Sequence, residues 1–133
     1  MPQTAKYITK TNSITVGELV DKITILQIKE DEFEDKVKLA HVRNELRELN
    51  LLATEIKVNV VAEMDELRKV NAVIWANEDQ ARTFSKENYT AVDALHIAKI
   101  AMETYAANTR RAQLKKQINE KCGSTIVEEK SYT

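Results

Sequence analysis

The sequence predicts an all-α fold, an antiparallel helical bundle of about four helices. Three observations carry that expectation. Only two glycines and one proline occur in 133 residues, so the chain is poor in the residues that tight turns need. Long stretches place apolar residues three and four positions apart. Helix-start signals stand ahead of those stretches. The predicted helices span 15–33, 35–57, 59–84 and 91–121, within one domain covering 1–133.

Residues 1–14 are polar and read as an extended arm. Thr15 and Glu18 then have capping-box spacing and open helix 1. At 100° per residue, Val16, Leu19, Val20, Ile23 and Leu26 fall on one side, which is the expected core face. Glu18, Asp21, Lys22 and Lys29 fall opposite, yet they surround Ile25 and flank Ile28. A purely solvated face does not place two isoleucines there. A second contact face, covered by the tail or by another subunit, is the sharper expectation.

Helix 2 opens near Asp35 and carries Val42, Leu46, Leu49, Ala53, Ile56 and Val60 in alternating steps of four and three. The stripe runs on through Met64, Leu67, Asn71, Ile74, Glu78 and Ala81. β-Branched residues and Asn59 in "IKVNVV" weaken helix propensity there, so a break between helices 2 and 3 is expected at that point. "FSKENYT" breaks the pattern again, and Thr90 with Asp93 resembles a second N-cap. Helix 4 should run from Ala91 to Lys121, stopped by Gly123. Its small residues Ala94, Ala98 and Ala101 at heptad spacing, followed by Tyr105, Asn108 and Ala112 and widened by Leu95, Ile100 and Met102, predict a central helix touching several others. The tail, 123–133, is expected to be non-helical.

Lys plus Arg is 20 and Asp plus Glu is 21, a formal charge of −1. That balance gives no pull toward nucleic acid or an anionic membrane. Arg110, Arg111, Lys115 and Lys116 cluster in "NTRRAQLKK", but no aromatic platform is interleaved with them. The single cysteine, Cys122, has no intrachain partner, which suits a reducing compartment. No apolar h-region opens the chain, and no apolar run is long enough to span a membrane. A cytoplasmic protein is therefore expected.

Polar residues on apolar seams are the candidates for chemistry. Asn71 and Glu78 sit on the helix 3 stripe. Asn108, Lys115 and Asn119 do so on helix 4, and Arg111 aligns with Leu114 and Ile118. Buried polar groups must be hydrogen-bonded, so these should find one another or a ligand. A hairpin turning near Glu87 would level Glu78 with His96, Asn71 with Tyr105 and Glu63 with Arg111. A turn between helices 2 and 3 near Val58 would bring His41 level with Trp75 and Glu78. A metal held by His41, His96 and Glu78 is a weak candidate, because HExxH and Glu-x-x-His patterns are missing. No metal or cofactor is expected.

Four segments in order, "GELVDKITILQIK", "VNAVIWANEDQAR", "NTRRAQLKKQIN" and "GSTIVEEKSY", resemble a family of small helical bacterial and phage proteins that carries only the label of a domain of unknown function. The resemblance covers about Ile14 to Tyr132. It points to Glu18, Asp21, Lys22, Asn71, Trp75, Glu78, Asn108, Arg111, Lys115, Asn119, Glu128, Glu129, Lys130 and Tyr132 as the residues of interest. The chain departs from it at Gln27, where the family pattern has an acidic residue. It also implies a loose association with surface-polysaccharide assembly.

Two functional expectations follow. The first is a non-enzymatic helical oligomerisation or accessory protein, a homo-oligomer with a possible protein partner. The wide apolar seams motivate it. The alternative is a small-ligand site or enzyme within the bundle, binding a phosphate, carboxylate or sugar through Glu78, Asn108 and Arg111, with Glu129, Lys130 and Tyr132 as a lid. No activated nucleophile or matched acid–base pair is legible, so the first is preferred.

Overall fold

A computed structural model describes residues 6–9, 12–84 and 88–123. Its element order is β1 (Lys6–Thr9), β2 (Asn12–Thr15), α1 (Val16–Glu32), α2 (Lys36–Ala53), α3 (Val61–Ala81) and α4 (Ala91–Lys121). The all-α bundle is as the sequence predicts, and each helix lies within its predicted span. The described part of the expected extended arm, Lys6–Thr9 and Asn12–Ile14, is extended strand. Its strands pair antiparallel, Lys6 opposite Thr15 and Thr9 opposite Asn12.

The helix ends follow local chemistry. The Thr15 side chain accepts the Glu18 amide at 3.1 Å and starts α1. Asp35 caps α2 by accepting the amides of Val37 and Lys38. The β-branched run breaks the chain between Ala53 and Val61, as its low helix propensity requires. Thr90 and Asp93 form a reciprocal capping box at the start of α4. Gly123 follows the end of α4 with φ 69°, the left-handed conformation that a Cβ disfavours.

The helices run alternately up and down. Lys22 meets Glu45 and Glu30 meets Arg43, so α1 and α2 are antiparallel. Glu66 meets Arg110 and Asn77 meets Thr104, so α3 and α4 are antiparallel. α1 lies against α2, α3 and α4. Its predicted core face is buried in full: Val16, Leu19, Val20, Ile23 and Leu26 join Leu46 of α2, Leu67 of α3 and Leu114 of α4. Phe33, just past α1, meets the ring of Trp75, with centroids 6.1 Å apart.

α1, and not α4, is therefore the central helix. α4 turns Ile97, Ile100, Thr104, Ala107, Leu114 and Ile118 inward. The stripe expected to face the core, Ala94, Ala98, Ala101, Tyr105, Asn108 and Ala112, lies on the other side and is exposed at every position. Both stripes have steps of three and four, so periodicity alone did not distinguish them. The inward one carries the branched residues Ile97, Ile100, Leu114 and Ile118, which bury more apolar area per position than alanine.

Candidate functional site

Asp21 is the centre of the only polar cluster that joins three of the helices among the described residues. Its side chain has 0% exposure. The Arg111 guanidinium grips it as a fork, Nε donating to Oδ1 at 3.0 Å and an Nη donating to Oδ2 at 2.7 Å. Asn71 Nδ2 donates to the same Oδ1 at 2.9 Å and to Thr24 Oγ1 at 2.9 Å. The Thr24 hydroxyl in turn donates to the Asp21 carbonyl at 2.7 Å. One acid on α1 thus ties α3 and α4 to the central helix.

A second tie lies one turn earlier on α1. The Gly17 amide is one of the orphan donors of a helix start, and it donates to Asn119 Oδ1 at 2.7 Å. Lys115 Nζ reaches Glu18 Oε1 at 3.4 Å. The two helices are close here: a Cβ on Gly17 would lie 2.5 Å from the Lys115 carbonyl oxygen.

Of the residues singled out in the sequence, Glu18, Asp21, Asn71, Arg111, Lys115 and Asn119 come together along this α1–α3–α4 boundary. Asp21 was expected on a face covered by the tail or another subunit; α3 and α4 of its own chain cover it. Ile25 is half-buried and Ile28 buried, so that side of α1 is a contact face. Lys22 is exposed on the α2 side, 3.9 Å from Glu45. Gln27 accepts from Arg68 Nε at 2.8 Å.

Several expected placements are corrected. Glu78 is exposed, because it continues the α3 stripe that faces α1 and α1 has already ended at Glu32. Beyond that point α3 packs on α4 alone, and Asn77 turns inward to donate to Thr104 at 3.3 Å. Asn108 is exposed, one position off the inward stripe of α4. Glu63 pairs with Lys121 and not Arg111, and Asn71 bonds Asp21 rather than facing Tyr105. Trp75 is half-buried against Phe33. His41 and His96 are exposed on α2 and α4, and His96 stacks edge-on against Phe84. Among the described residues no three His, Cys, Asp or Glu side chains gather as a metal site would require. Glu128, Glu129, Lys130 and Tyr132 lie outside the described residues.

Sequence reasoning missed Thr24 and Asn77. Thr24 had a signal: it follows Asp21 by three positions, on the same helix face, amid aliphatic neighbours.

Charge on the cluster's periphery is locally tuned. The Arg110 guanidinium grips Glu66 with two hydrogen bonds and lowers its carboxyl below the ordinary glutamate range. The Lys121 ammonium does the same to Glu63. Burial raises the Cys122 thiol above its usual value.

Both oxygens of Asp21 accept from donors on other helices, and so does the side-chain oxygen of Asn119. The arrangement serves to fix how the helices sit against each other. No family model, curated protein or solved structure matches this chain.

Proposed function

We propose that the chain is a helical oligomerisation or accessory protein whose working surface is the outer face of α4. The observation that carries this reading is the composition of that face. In a sector 120° wide centred on Ala98, residues 91–113 carry no charge, although 31% of the chain is Asp, Glu, Lys or Arg. The sector runs about 33 Å along the helix at 1.5 Å per residue. Leu95 is 73% exposed, Met102 69% and Tyr105 72%.

A solvated helix face is normally charged, and an uncharged strip of this length, apolar from Ala91 to Tyr105, is the mark of a contact surface. The polar cluster supports the same reading from the other side. It spends its acid, amide and cation on one another across α1, α3 and α4, which gives α4 a rigid seat from which to present its outer face.

The test is sedimentation velocity at micromolar concentration on the full chain and on Ala98→Glu. The expected result is an oligomer for the wild type and a folded monomer for the variant, with helical content retained. A wild type that sediments as a monomer throughout would remove the oligomeric reading.

A further inference from the structure

The α4 face is not evenly built. Its large residues Leu95, Met102 and Tyr105 are set among the small residues Ala91, Ala94, Ala98, Ala101 and Ala112. Charge is also uneven at its edges. Lys99 and Glu103 lie on the same flank, 40° apart at 100° per residue, and both are exposed. The opposite flank presents Ala101 and Asn108; its charges, Asp93 and Arg111, are used within the chain, Asp93 in the α4 cap and Arg111 on Asp21.

The geometry points to a second copy of this chain as the occupant, packed antiparallel along α4 about a two-fold axis that passes between Ala101 and Met102. The inference rests on the oligomeric reading above and specifies its partner and direction. A two-fold perpendicular to the helices keeps each flank facing the same flank of the other copy. Lys99 then stands beside Glu103 of the second copy, and the same pair forms again on the other side of the axis. Tyr105 meets the second copy's small Ala98, and Ala101 and Met102 sit at the axis on opposite sides of the seam, each beside its own counterpart. Leu95 lies over the second copy's Thr109. A parallel, in-register pair does neither. It sets Leu95 and Tyr105 each against itself, and it turns the Lys99–Glu103 flank away from its own counterpart.

Single-cysteine cross-linking separates these cases. The full chain with its native, buried Cys122 is the blank, and Ala101→Cys, Met102→Cys, Leu95→Cys and Thr109→Cys are made at exposed positions. Each is oxidised gently after helical content and sedimentation have been checked. The expected result is a disulfide-linked dimer for the two variants at the axis and none above the blank for Leu95→Cys and Thr109→Cys. Those two positions are each separated from their own copies by about 20 Å in the antiparallel pair. A mixture of Leu95→Cys with Thr109→Cys should cross-link. Self-linking of Leu95→Cys and Thr109→Cys would overturn the antiparallel arrangement while leaving oligomerisation intact. A wild type that sediments as a monomer would overturn both. Charge reversal gives an independent readout: Lys99→Glu should weaken association several-fold, and adding Glu103→Lys should restore it. A Lys99→Glu variant that associates like the wild type would count against the proposed register.

Discussion

Arg111 on α4 holds Asp21 on α1 through two parallel hydrogen bonds of 3.0 and 2.7 Å, and the acid it holds is wholly buried while the arginine is 30% exposed. The pair spans 90 positions of sequence. It therefore fixes the last helix to the first. The burden falls unequally, because an unpaired carboxylate inside the core has no water to turn to.

Arg111→Ala should accordingly destabilise the fold strongly, by about 3–5 kcal/mol, the usual cost of leaving one member of a buried pair uncompensated. Asn71 would still donate to Asp21 Oδ1, which keeps part of the carboxylate satisfied and limits the loss. The double variant Arg111→Met with Asp21→Leu should recover most of that loss, since it removes the charge along with its partner. Urea unfolding followed by the single tryptophan, Trp75, gives both numbers. A loss below about 1 kcal/mol for Arg111→Ala would mean that the pair is solvated in solution.

Why this pair was only half legible in the sequence follows from how periodicity encodes packing. A helix with one partner shows one apolar stripe, and α2 does: Val42, Leu46 and Leu49 are both the stripe and the buried residues. α1 has neighbours on several sides, so its second contact face holds an acid, a threonine and isoleucines, and reads as an ambiguous charge pattern. Asp21 lies directly on that face, and Asn71, Arg111 and Asn119 stand out as polar residues on apolar stripes. What the sequence does not contain is the length over which two helices run side by side. α3 outlasts α1, so Glu78 keeps the right spacing with nothing opposite it. The two faces of α4 have the same spacing, and the choice between them depends on which one meets α3.

Acid should loosen the α3–α4 hairpin. Glu66 and Glu63 are both held below the ordinary glutamate range by a hydrogen-bonded cation, Arg110 and Lys121 respectively. A carboxyl with a depressed folded-state pKa stabilises the fold fully above its unfolded value. That contribution is lost as pH falls through the folded value. Stability measured by urea unfolding should hold steady above the ordinary glutamate range and decline below it. Glu66→Gln should flatten that decline and leave the plateau only slightly lower, because the pair is exposed and screened. A Glu66→Gln profile parallel to that of the wild type would show that the ion pair carries no linkage.

Cys122 offers a reporter for fraying of the α4 end. It is buried at the base of the core, 6% exposed, and burial raises its thiol pKa, so both access and thiolate fraction are low. A thiol reagent at neutral pH should react slowly with the native chain and rapidly in urea. Lys121→Ala removes the salt bridge to Glu63 next to it and should speed labelling without moving the global unfolding midpoint much. Equal labelling rates in native buffer and in urea would contradict the packing of the α4 end.

Gly17→Ala provides the sharpest test of the α1–α4 contact, because local and tertiary physics predict opposite signs. Gly17 lies inside the first turn of α1 with no positive φ, and replacing a helical glycine by alanine ordinarily gains about 0.5–1 kcal/mol. Here the new Cβ would lie 2.5 Å from the carbonyl oxygen of Lys115 and 3.0 Å from Asn119 Oδ1. The first of these is backbone and cannot swing away. α1 and α4 must separate, which strains the Gly17 amide bond to Asn119 and the contact from Lys115 to Glu18 together. The expected result is a net loss of roughly 1–3 kcal/mol, as for overpacking of a tight core. Asn119→Ala, which leaves the Gly17 amide without its acceptor but adds no bulk, should cost about 1–3 kcal/mol through the unsatisfied donor. If Gly17→Ala proved stabilising, α1 and α4 would have to stand further apart in solution than this contact allows.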